Sequence, residues 1–270
     1  MIRVGDATVE LDDEGQGDPV LLLHGFPTTR RLWRRVVPGL VGAGHRVIAP
    51  DLVGYGGSRC PPGEEPDMAS QARWMLALLD ALGIGRVALV AHDIGTAAAQ
   101  IMVAKAPERF RALVLMDGVH RDAWALEAAA PIATWKEPAR LFKVLVRQLR
   151  ASGGKGKLDE EAVREVLAPY EGEEGGAKLV RAARAMHPEQ TLGIEPALRE
   201  RRVPALVLWG AHDAYLGVEA VGLPLAELLG APLTVLPAGH FLPMELPDEV
   251  AAEVTRFLAE LREREAAARR

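Results

Sequence analysis

The stretch VALVAHDIGTA, residues 87–97, joins a run of aliphatic residues to a helical pattern through an ionisable carboxylate. His92 and Asp93 end the run, and Gly95 follows two residues after the carboxylate. Aspartate is favoured at the start of a helix, because its side chain accepts hydrogen bonds from free backbone amides. A carboxylate at such a turn can also serve as a nucleophile. The rest of the chain has to distinguish these two interpretations.

Similar aliphatic runs recur along the chain, and each ends in a polar residue or a glycine. They consist mostly of Val, Leu and Ile without apolar–polar alternation, which is typical of strands buried on both faces of a parallel sheet. Helical patterns lie between them at 69–82, 96–106 and 247–264, so the sequence predicts an α/β fold with a mostly parallel, doubly wound sheet. Residues 2–11 predict a short antiparallel hairpin at its edge. The runs cover 19–25, 45–51, 86–93, 111–118, 203–213 and 232–240.

One long segment interrupts this alternation. Residues 119–198 contain no predicted strand and several helical patterns separated by glycine-rich turns. An all-helical insertion between two core strands is typical of a cap, or lid, over an active site. We therefore predict a core domain made of residues 1–118 and 199–270 and a helical cap made of residues 119–198. The helical patterns cover 138–150, 159–168 and 177–186.

The composition argues against several classes of protein. The net charge is −5 and the basic residues are dispersed, so no nucleic-acid-binding surface is indicated. Cys60 is the single cysteine, which rules out an intrachain disulfide and fits a reducing compartment. No apolar run approaches membrane-spanning length, and the first residues lack the apolar core of a signal peptide. We expect a cytoplasmic monomer or homodimer that binds neither nucleic acid nor membrane.

Ionisable residues follow most of the predicted strands. In open parallel sheets, functional groups gather at the carboxyl ends of the strands. Asp93, Asp213 and His240 stand in the chain order nucleophile, acid, histidine, which marks one class of hydrolytic triad. Asp117 ends another strand and could also reach the histidine, so it is an alternative for the acid. We expect the chemistry to need neither a metal ion nor a cofactor.

Five motifs resemble successive signatures of the α/β-hydrolase superfamily, and the resemblance covers about residues 19–258 apart from the predicted cap. AHDIG resembles the nucleophile elbow, with Asp93 in the place usually taken by serine and Ala91 where the elbow usually has glycine. An aspartate at this position is similar to haloalkane and haloacid dehalogenases and to epoxide hydrolases of this superfamily. The resemblance therefore favours the nucleophile interpretation of Asp93. The motifs are HGFP (24–27), DLVGYGGS (51–58), AHDIG (91–95), WGAHD (209–213) and AGHFLPMELPDEV (238–250).

The resemblance implies a two-step mechanism. A carboxylate is already ionised at neutral pH and can displace a halide or open an epoxide at a saturated carbon, which leaves an ester of Asp93. His240, oriented by Asp213, is then expected to activate the water that hydrolyses the ester. The backbone amides of Phe26 and Ile94 are expected to form the oxyanion hole.

The residues around the nucleophile leave the electrophile open. Epoxide hydrolases carry two cap tyrosines, whereas this cap offers Tyr170 alone; haloacid dehalogenases place arginines after the nucleophile, and DIGTAAA has none. Haloalkane dehalogenases usually place tryptophan where this chain has Ile94, so we expect Trp124 and Trp135, with Tyr170, to line the substrate pocket. We predict dehalogenase-like action on a small apolar halogenated substrate, with water. An epoxide hydrolase that yields a diol is the first alternative, and a non-catalytic ligand-binding homologue is the second.

Overall fold

The computed structural model describes residues 1–154, 156 and 158–268, apart from the side chain of Arg201, and places a seven-stranded sheet at its centre. The strand order is β3-β5-β4-β6-β7-β8-β9, and every neighbouring pair is parallel except β3 with β5. The mostly parallel sheet predicted from the aliphatic runs is confirmed. The strands are β1 Ile2–Val4, β2 Ala7–Val9, β3 Leu11–Glu14, β4 Asp18–Leu23, β5 His45–Pro50, β6 Val87–His92, β7 Phe110–Met116, β8 Ala205–Gly210 and β9 Leu233–Leu236.

Helices flank this sheet and cover its faces. Every residue of β6 and of β8 is buried, because neighbouring strands and flanking helices enclose these central strands. Helix α1 packs against α11, and α2 packs against α3. The core helices are α1 Val37–Gly42, α2 Met68–Ala81, α3 Gly95–Lys105, α9 Leu223–Leu229, α10 Leu242–Glu245 and α11 Pro247–Ala268. No helix among the described residues is long and apolar enough to cross a membrane.

The amino-terminal edge differs from the prediction. The hairpin of β1 and β2 is present, but it forms a separate two-stranded sheet. Its Thr8 forms an antiparallel bridge with Arg59 in the loop after β5, so the hairpin pairs with that loop and not with a strand of the central sheet. The antiparallel edge of the central sheet is β3, which pairs with β5 from Leu11 opposite Pro50 to Glu14 opposite Val47.

Residues between β7 and β8 form helices, with no strand among those described. Helix α7 begins five residues before the predicted start at residue 177, because Gly175 and Gly176 are packing positions and do not break the helix. A Cβ atom at Gly176 would lie 2.1 Å from the carbonyl oxygen of Pro138, at the start of α5. Helix α4 was not predicted and contains Pro131. The inserted helices are α4 Leu126–Ala133, α5 Pro138–Ala151, α6 Glu160–Leu167, α7 Gly172–Arg184 and α8 Glu195–Arg201.

Candidate active site

The turn between β6 and α3 places Asp93 at the carboxyl edge of the sheet. Its backbone has a φ of 52°, a left-handed conformation that is uncommon for a residue with a side chain. Two glycines allow the surrounding backbone to close on this turn. A Cβ atom at Gly25 would lie 2.3 Å from the Cβ of Asp93, and one at Gly95 would lie 2.5 Å from the carbonyl oxygen of His24. Any larger residue at these positions would push the turn out of place.

The side chain of Asp93 does not cap the helix that follows it. Helix α3 receives no side-chain capping hydrogen bond at its start. Instead, the Oδ1 atom of Asp93 accepts a hydrogen bond of 2.7 Å from the backbone amide of Phe26, in the loop after β4. The backbone amide of Ile94 is nearby and, after the larger effects of burial and of His240, also helps to lower the pKa of Asp93. Of the two amides predicted for the oxyanion hole, that of Phe26 therefore donates a hydrogen bond to the carboxylate of Asp93.

His240 lies between two carboxylates. Its Nδ1 atom is 2.8 Å from Oδ2 of Asp213, and its Nε2 atom is 3.4 Å from Oδ2 of Asp93. The other oxygen of Asp213 accepts hydrogen bonds from the backbone amides of Tyr215 and Leu216, at 2.8 and 3.0 Å, which fix the orientation of this carboxylate. The structure thus places Asp93, His240 and Asp213 in one row, with a hydrogen bond between His240 and Asp213 and an ion pair between His240 and Asp93.

Asp117 is buried behind this row and makes no hydrogen bond to His240. It follows β7 with a φ of 41°, and its Oδ1 atom accepts a hydrogen bond of 2.7 Å from the backbone amide of Gly210. Its Oδ2 atom is buried and has no hydrogen-bond partner among the residues that the structure describes. Burial raises the pKa of Asp117 well above its usual value, because the charged form has lost its hydration. Of the two carboxylates considered for the acid, Asp213 is the one that lies within hydrogen-bond distance of His240.

The charges of the row are strongly coupled. Burial by itself lowers the pKa of His240, but the charges and hydrogen bonds of Asp213 and Asp93 outweigh burial and raise it well above its usual value. Burial raises the pKa of Asp93, but the hydrogen bond and charge of His240 outweigh that effect and lower it. At neutral pH the free protein therefore favours an ion pair between the Asp93 carboxylate and the His240 imidazolium.

A cavity of about 570 Å³ opens over this ion pair. Asp93, His240 and Ile94 line it, and α4 and α5 of the inserted segment contribute much of its wall. The residues of α5 that line the cavity recur at helical spacing, so one face of this helix points into the cavity. The residues of α5 and its end that line the cavity are Leu145, Gln148, Leu149, Ala151 and Ser152.

The predicted pocket residues are only partly in the right place. Trp124 lines the cavity, but its indole N–H donates to the carbonyl oxygen of Arg121 and to the hydroxyl of Thr191, both at 3.0 Å. The indole N–H of Trp124 is therefore already engaged by two acceptors and is not free to donate to a substrate. Thr191 accepts this bond within the inserted segment, so the indole stabilises that segment.

Neither Trp135 nor Tyr170, which were predicted to line the substrate pocket, is among the residues that line this cavity. Trp135 follows α4, and its indole N–H donates to the carbonyl oxygen of Glu137 at 2.8 Å. The hydroxyl of Tyr170 donates to the carbonyl oxygen of Thr28 at 3.0 Å. Tyr170 thus anchors the inserted segment to the loop after β4, and its hydroxyl is buried away from the cavity.

Four polar residues of the cavity wall were missed by the sequence analysis: Tyr215, Gln148, Glu127 and Ser152. The ring of Tyr215 packs edge-on against that of His240, with 5.1 Å between ring centroids. Its place two residues after Asp213 was a usable signal, and the helical spacing of Gln148 from Leu145 was another. Glu127 had no such signal, because it lies on the unpredicted helix α4. Among the described residues, no lysine or arginine lines the cavity.

Comparison with known proteins gives consistent matches. A family model described as alpha/beta hydrolase fold matches residues 18–154. A haloalkane dehalogenase of Mesorhizobium japonicum is 28% identical, with 96% of this chain and 91% of the relative covered. A fluoroacetate dehalogenase of a Burkholderia species is 29% identical, with 97% and 94% covered. The crystal structure of a haloalkane dehalogenase from Bradyrhizobium elkani superposes with a TM-score of 0.83 at 26% identity, covering 97% of each chain.

Proposed function

Because this chain belongs to the α/β-hydrolase fold family and is a hydrolase, we propose that it hydrolyses small neutral haloalkanes through a covalent ester on Asp93. One observation carries the proposal: a buried carboxylate in the wall of the cavity, with one oxygen 2.7 Å from the Phe26 amide and the other 3.4 Å from Nε2 of His240. A buried carboxylate held by donors on one oxygen presents the other oxygen to a substrate. The relatives that act on carbon–halogen bonds support the same reaction class.

In the first step, Oδ2 of Asp93 attacks the carbon that bears the halogen. A carbon–oxygen bond forms, the carbon–halogen bond breaks, and the halide departs with the bonding electron pair. A serine nucleophile would first have to lose a proton to a base, but a carboxylate does not. The protonated state of His240 in the free protein is therefore compatible with this step, because no proton has to move.

Ester formation then changes the charge next to His240. The ester carries no negative charge, so one of the two carboxylates that raise the pKa of His240 is neutralised. The pKa of His240 falls, its Nε2 proton is released to solvent, and the neutral imidazole is held by Asp213 alone. The reaction itself thus converts His240 from a cation into a base, which it has to be for the second step.

In the second step, neutral His240 takes a proton from water as the water oxygen attacks the carbonyl carbon of the ester. Negative charge develops on Oδ1 of Asp93, where the Phe26 amide already donates and the nearby Ile94 amide can also stabilise the oxyanion. The intermediate collapses, and His240 protonates Oδ2 as it leaves within the product alcohol. The new carboxylic acid of Asp93 then returns its proton to His240, which restores the ion pair.

The cavity wall favours a neutral substrate. Asp93 and Glu127 contribute carboxylates to it, and the described lining contains no lysine or arginine that would pair with a substrate carboxylate. Tyr215 and Gln148 carry O–H and N–H groups on the same wall. These two side chains can donate to a departing halide, a role that Ile94 and the engaged indole of Trp124 cannot fill.

Matched neutral and anionic substrates test this function. We expect chloride or bromide release from short haloalkanes, measured by ion chromatography. For haloacetates with the same halogen we expect kcat/KM to be at least about 100-fold lower, because an uncompensated buried charge costs about 3–5 kcal/mol. Comparable activity on the two substrate classes would show that the proposed substrate class is wrong.

Epoxide hydrolysis is a second candidate, and Tyr215 is the observation that favours it. A phenol on the cavity wall can protonate the oxygen that an opening epoxide releases, and the same ester of Asp93 would form. Diol formation from short terminal epoxides, measured beside halide release in the same preparations, decides between the two. Diol production without halide release selects the epoxide hydrolase.

The choice of acid is tested by paired amide substitutions at Asp213 and Asp117. We expect Asp213→Asn to slow hydrolysis of the ester by about 100-fold or more, because an amide neither holds the imidazolium nor fixes its tautomer as a carboxylate does. Asp117→Asn keeps an oxygen for the Gly210 amide and should change the rate by less than about threefold. Single-turnover decay of the ester measures both. A larger effect at Asp117 than at Asp213 would contradict the assignment of the acid.

A further inference from the structure

Three glycines meet beside His240 and bring separate parts of the chain into backbone contact. A Cβ atom at Gly154, in the loop after α5, would lie 2.3 Å from the backbone nitrogen of Gly239. A Cβ atom at Gly210, at the end of β8, would lie 2.1 Å from the carbonyl oxygen of Gly239. The backbone just before His240 is therefore packed between the end of β8 and the inserted segment.

Glu245 bridges this contact. It ends the short helix α10 and is half-buried. Both of its carboxylate oxygens lie 3.0 Å from the backbone amide of Gly239, and Oε2 also accepts a hydrogen bond of 2.8 Å from the backbone amide of Gly154. Hydrogen bonds of this kind between a carboxylate and backbone amides are stronger than those between neutral groups. One side chain thus holds the peptide before His240 and the inserted segment at the same time.

The remaining anchors of this backbone come from the core. Nε2 of His92 lies 2.7 Å from the carbonyl oxygen of His240, and the backbone amide of His212 donates to the carbonyl oxygen of Ala238 at 2.9 Å. Burial lowers the pKa of His92 to about 4, so at neutral pH its imidazole is uncharged and donates this bond. These contacts tie His240 to the nucleophile strand and to the acid loop, but not to the inserted segment.

The loop held by Glu245 is continuous with the cavity wall. Ala151 and Ser152 line the cavity, and Gly154 follows two residues after Ser152. A displacement of this wall would therefore pull on the Gly154 amide and, through Glu245, on the peptide that carries His240. The carboxylate of Glu245 therefore contacts both the loop that continues this wall and the peptide before His240, the proposed base of the second step.

We propose that Glu245 is a positioning residue that couples the placement of His240 to the α5 wall of the cavity. This inference rests on the proposed function, in which His240 acts as a base in ester hydrolysis and not in ester formation. Glu245 should therefore matter for the second step and leave the first unchanged. A residue that only stabilised the fold would affect both steps alike.

Glu245→Gln tests the proposal, because an amide has one oxygen to accept from Gly239 or Gly154 and turns its NH₂ group toward the other. We expect ester hydrolysis in single turnovers to slow by about 10- to 100-fold, as small misplacements of a catalytic group do. Halide release in the first turnover should stay within about twofold. Glu249→Gln, on the exposed first turn of α11, is the matched control and should change neither step.

Gly154→Ala disturbs the same contact with Gly239 from the inserted segment and keeps the carboxylate of Glu245. The added Cβ would collide with the Gly239 backbone, so this variant should also slow ester hydrolysis selectively. Equal slowing of both steps in the two variants, or slowing of neither step, would overturn the proposal.

A readout without turnover separates this proposal from the proposed function. NMR titration of the His240 imidazole should show a changed pKa or chemical shift in Glu245→Gln and Gly154→Ala and none in Glu249→Gln. If no ester ever forms on Asp93 in the wild type, the proposed function fails, and this titration still tests the coupling. A His240 signal that is identical in all the variants would overturn the coupling.

Discussion

The His240→Ala protein should stop at the covalent ester of Asp93. Ester formation needs no base, so one equivalent of halide per active site should be released in a burst. Hydrolysis of the ester should then fall by about 10²–10⁴-fold, the usual contribution of a positioned general base. Intact-mass spectrometry should show the protein heavier by one alkyl group, and peptide mapping should place that group on Asp93.

The pH of this experiment matters because His240 also lowers the pKa of Asp93. Without the imidazolium, burial dominates and the pKa of Asp93 rises, so the carboxylate is fully ionised only at higher pH than in the wild type. The trapping reaction is therefore best carried out at neutral to mildly alkaline pH. Continued turnover by His240→Ala, or an adduct on a residue other than Asp93, would contradict the mechanism.

Asp93→Asn should abolish turnover, with a loss of at least about 10⁴-fold, because an uncharged amide does not attack a saturated carbon. The amide oxygen can still accept the hydrogen bond from Phe26, so the fold should be retained and thermal unfolding should stay close to that of the wild type. The same variant should lower the pKa of His240, since the Asp93 charge and hydrogen bond help to raise it.

An NMR titration of the His240 imidazole in Asp93→Asn and in the wild type measures this shift directly. Asp248→Asn, an exposed carboxylate on α11, serves as the control and should leave both activity and the pKa of His240 unchanged. Halide release by Asp93→Asn within about tenfold of the wild-type rate would rule out Asp93 as the nucleophile.

The sheet could be predicted because buried parallel strands have a direct signature in the sequence. Aliphatic runs such as those of β6 and β8 predict strands even when the strands that pair with them are not known. The start of α7 could not be predicted in the same way. Gly175 and Gly176 look like a break until the carbonyl oxygen of Pro138, nearly forty residues earlier in the chain, is seen against the helix.

The candidate site could likewise be predicted only in part. The order of the motifs predicted that Asp93, Asp213 and His240 act together. The structure places them in one row, because a parallel sheet aligns the ends of its strands. The sequence does not show in which direction the aromatic side chains of the inserted segment point. Tyr170 faces the carbonyl oxygen of Thr28, a contact that spans 142 positions of the chain and leaves no local pattern.

Glu245 shows a further limit of motif analysis. It lies within AGHFLPMELPDEV, a motif that marks His240 but gives no role to Glu245. Its partners are Gly239 in the same motif and Gly154 in the inserted segment. Tyr215 is the opposite case, since its position two residues after Asp213 made it predictable from the sequence, and it was overlooked.

The origin of the product oxygen tests the central claim, that Asp93 is a covalent nucleophile, most directly. A single turnover is run with enzyme in excess over haloalkane, in water labelled with the heavy oxygen isotope. Attack by Asp93 predicts that the first alcohol carries unlabelled oxygen from Oδ2, and that the peptide containing Asp93 becomes heavier by one isotopic substitution. Labelled alcohol in this first turnover, together with an unlabelled Asp93 peptide, would show direct attack by water and would contradict the account.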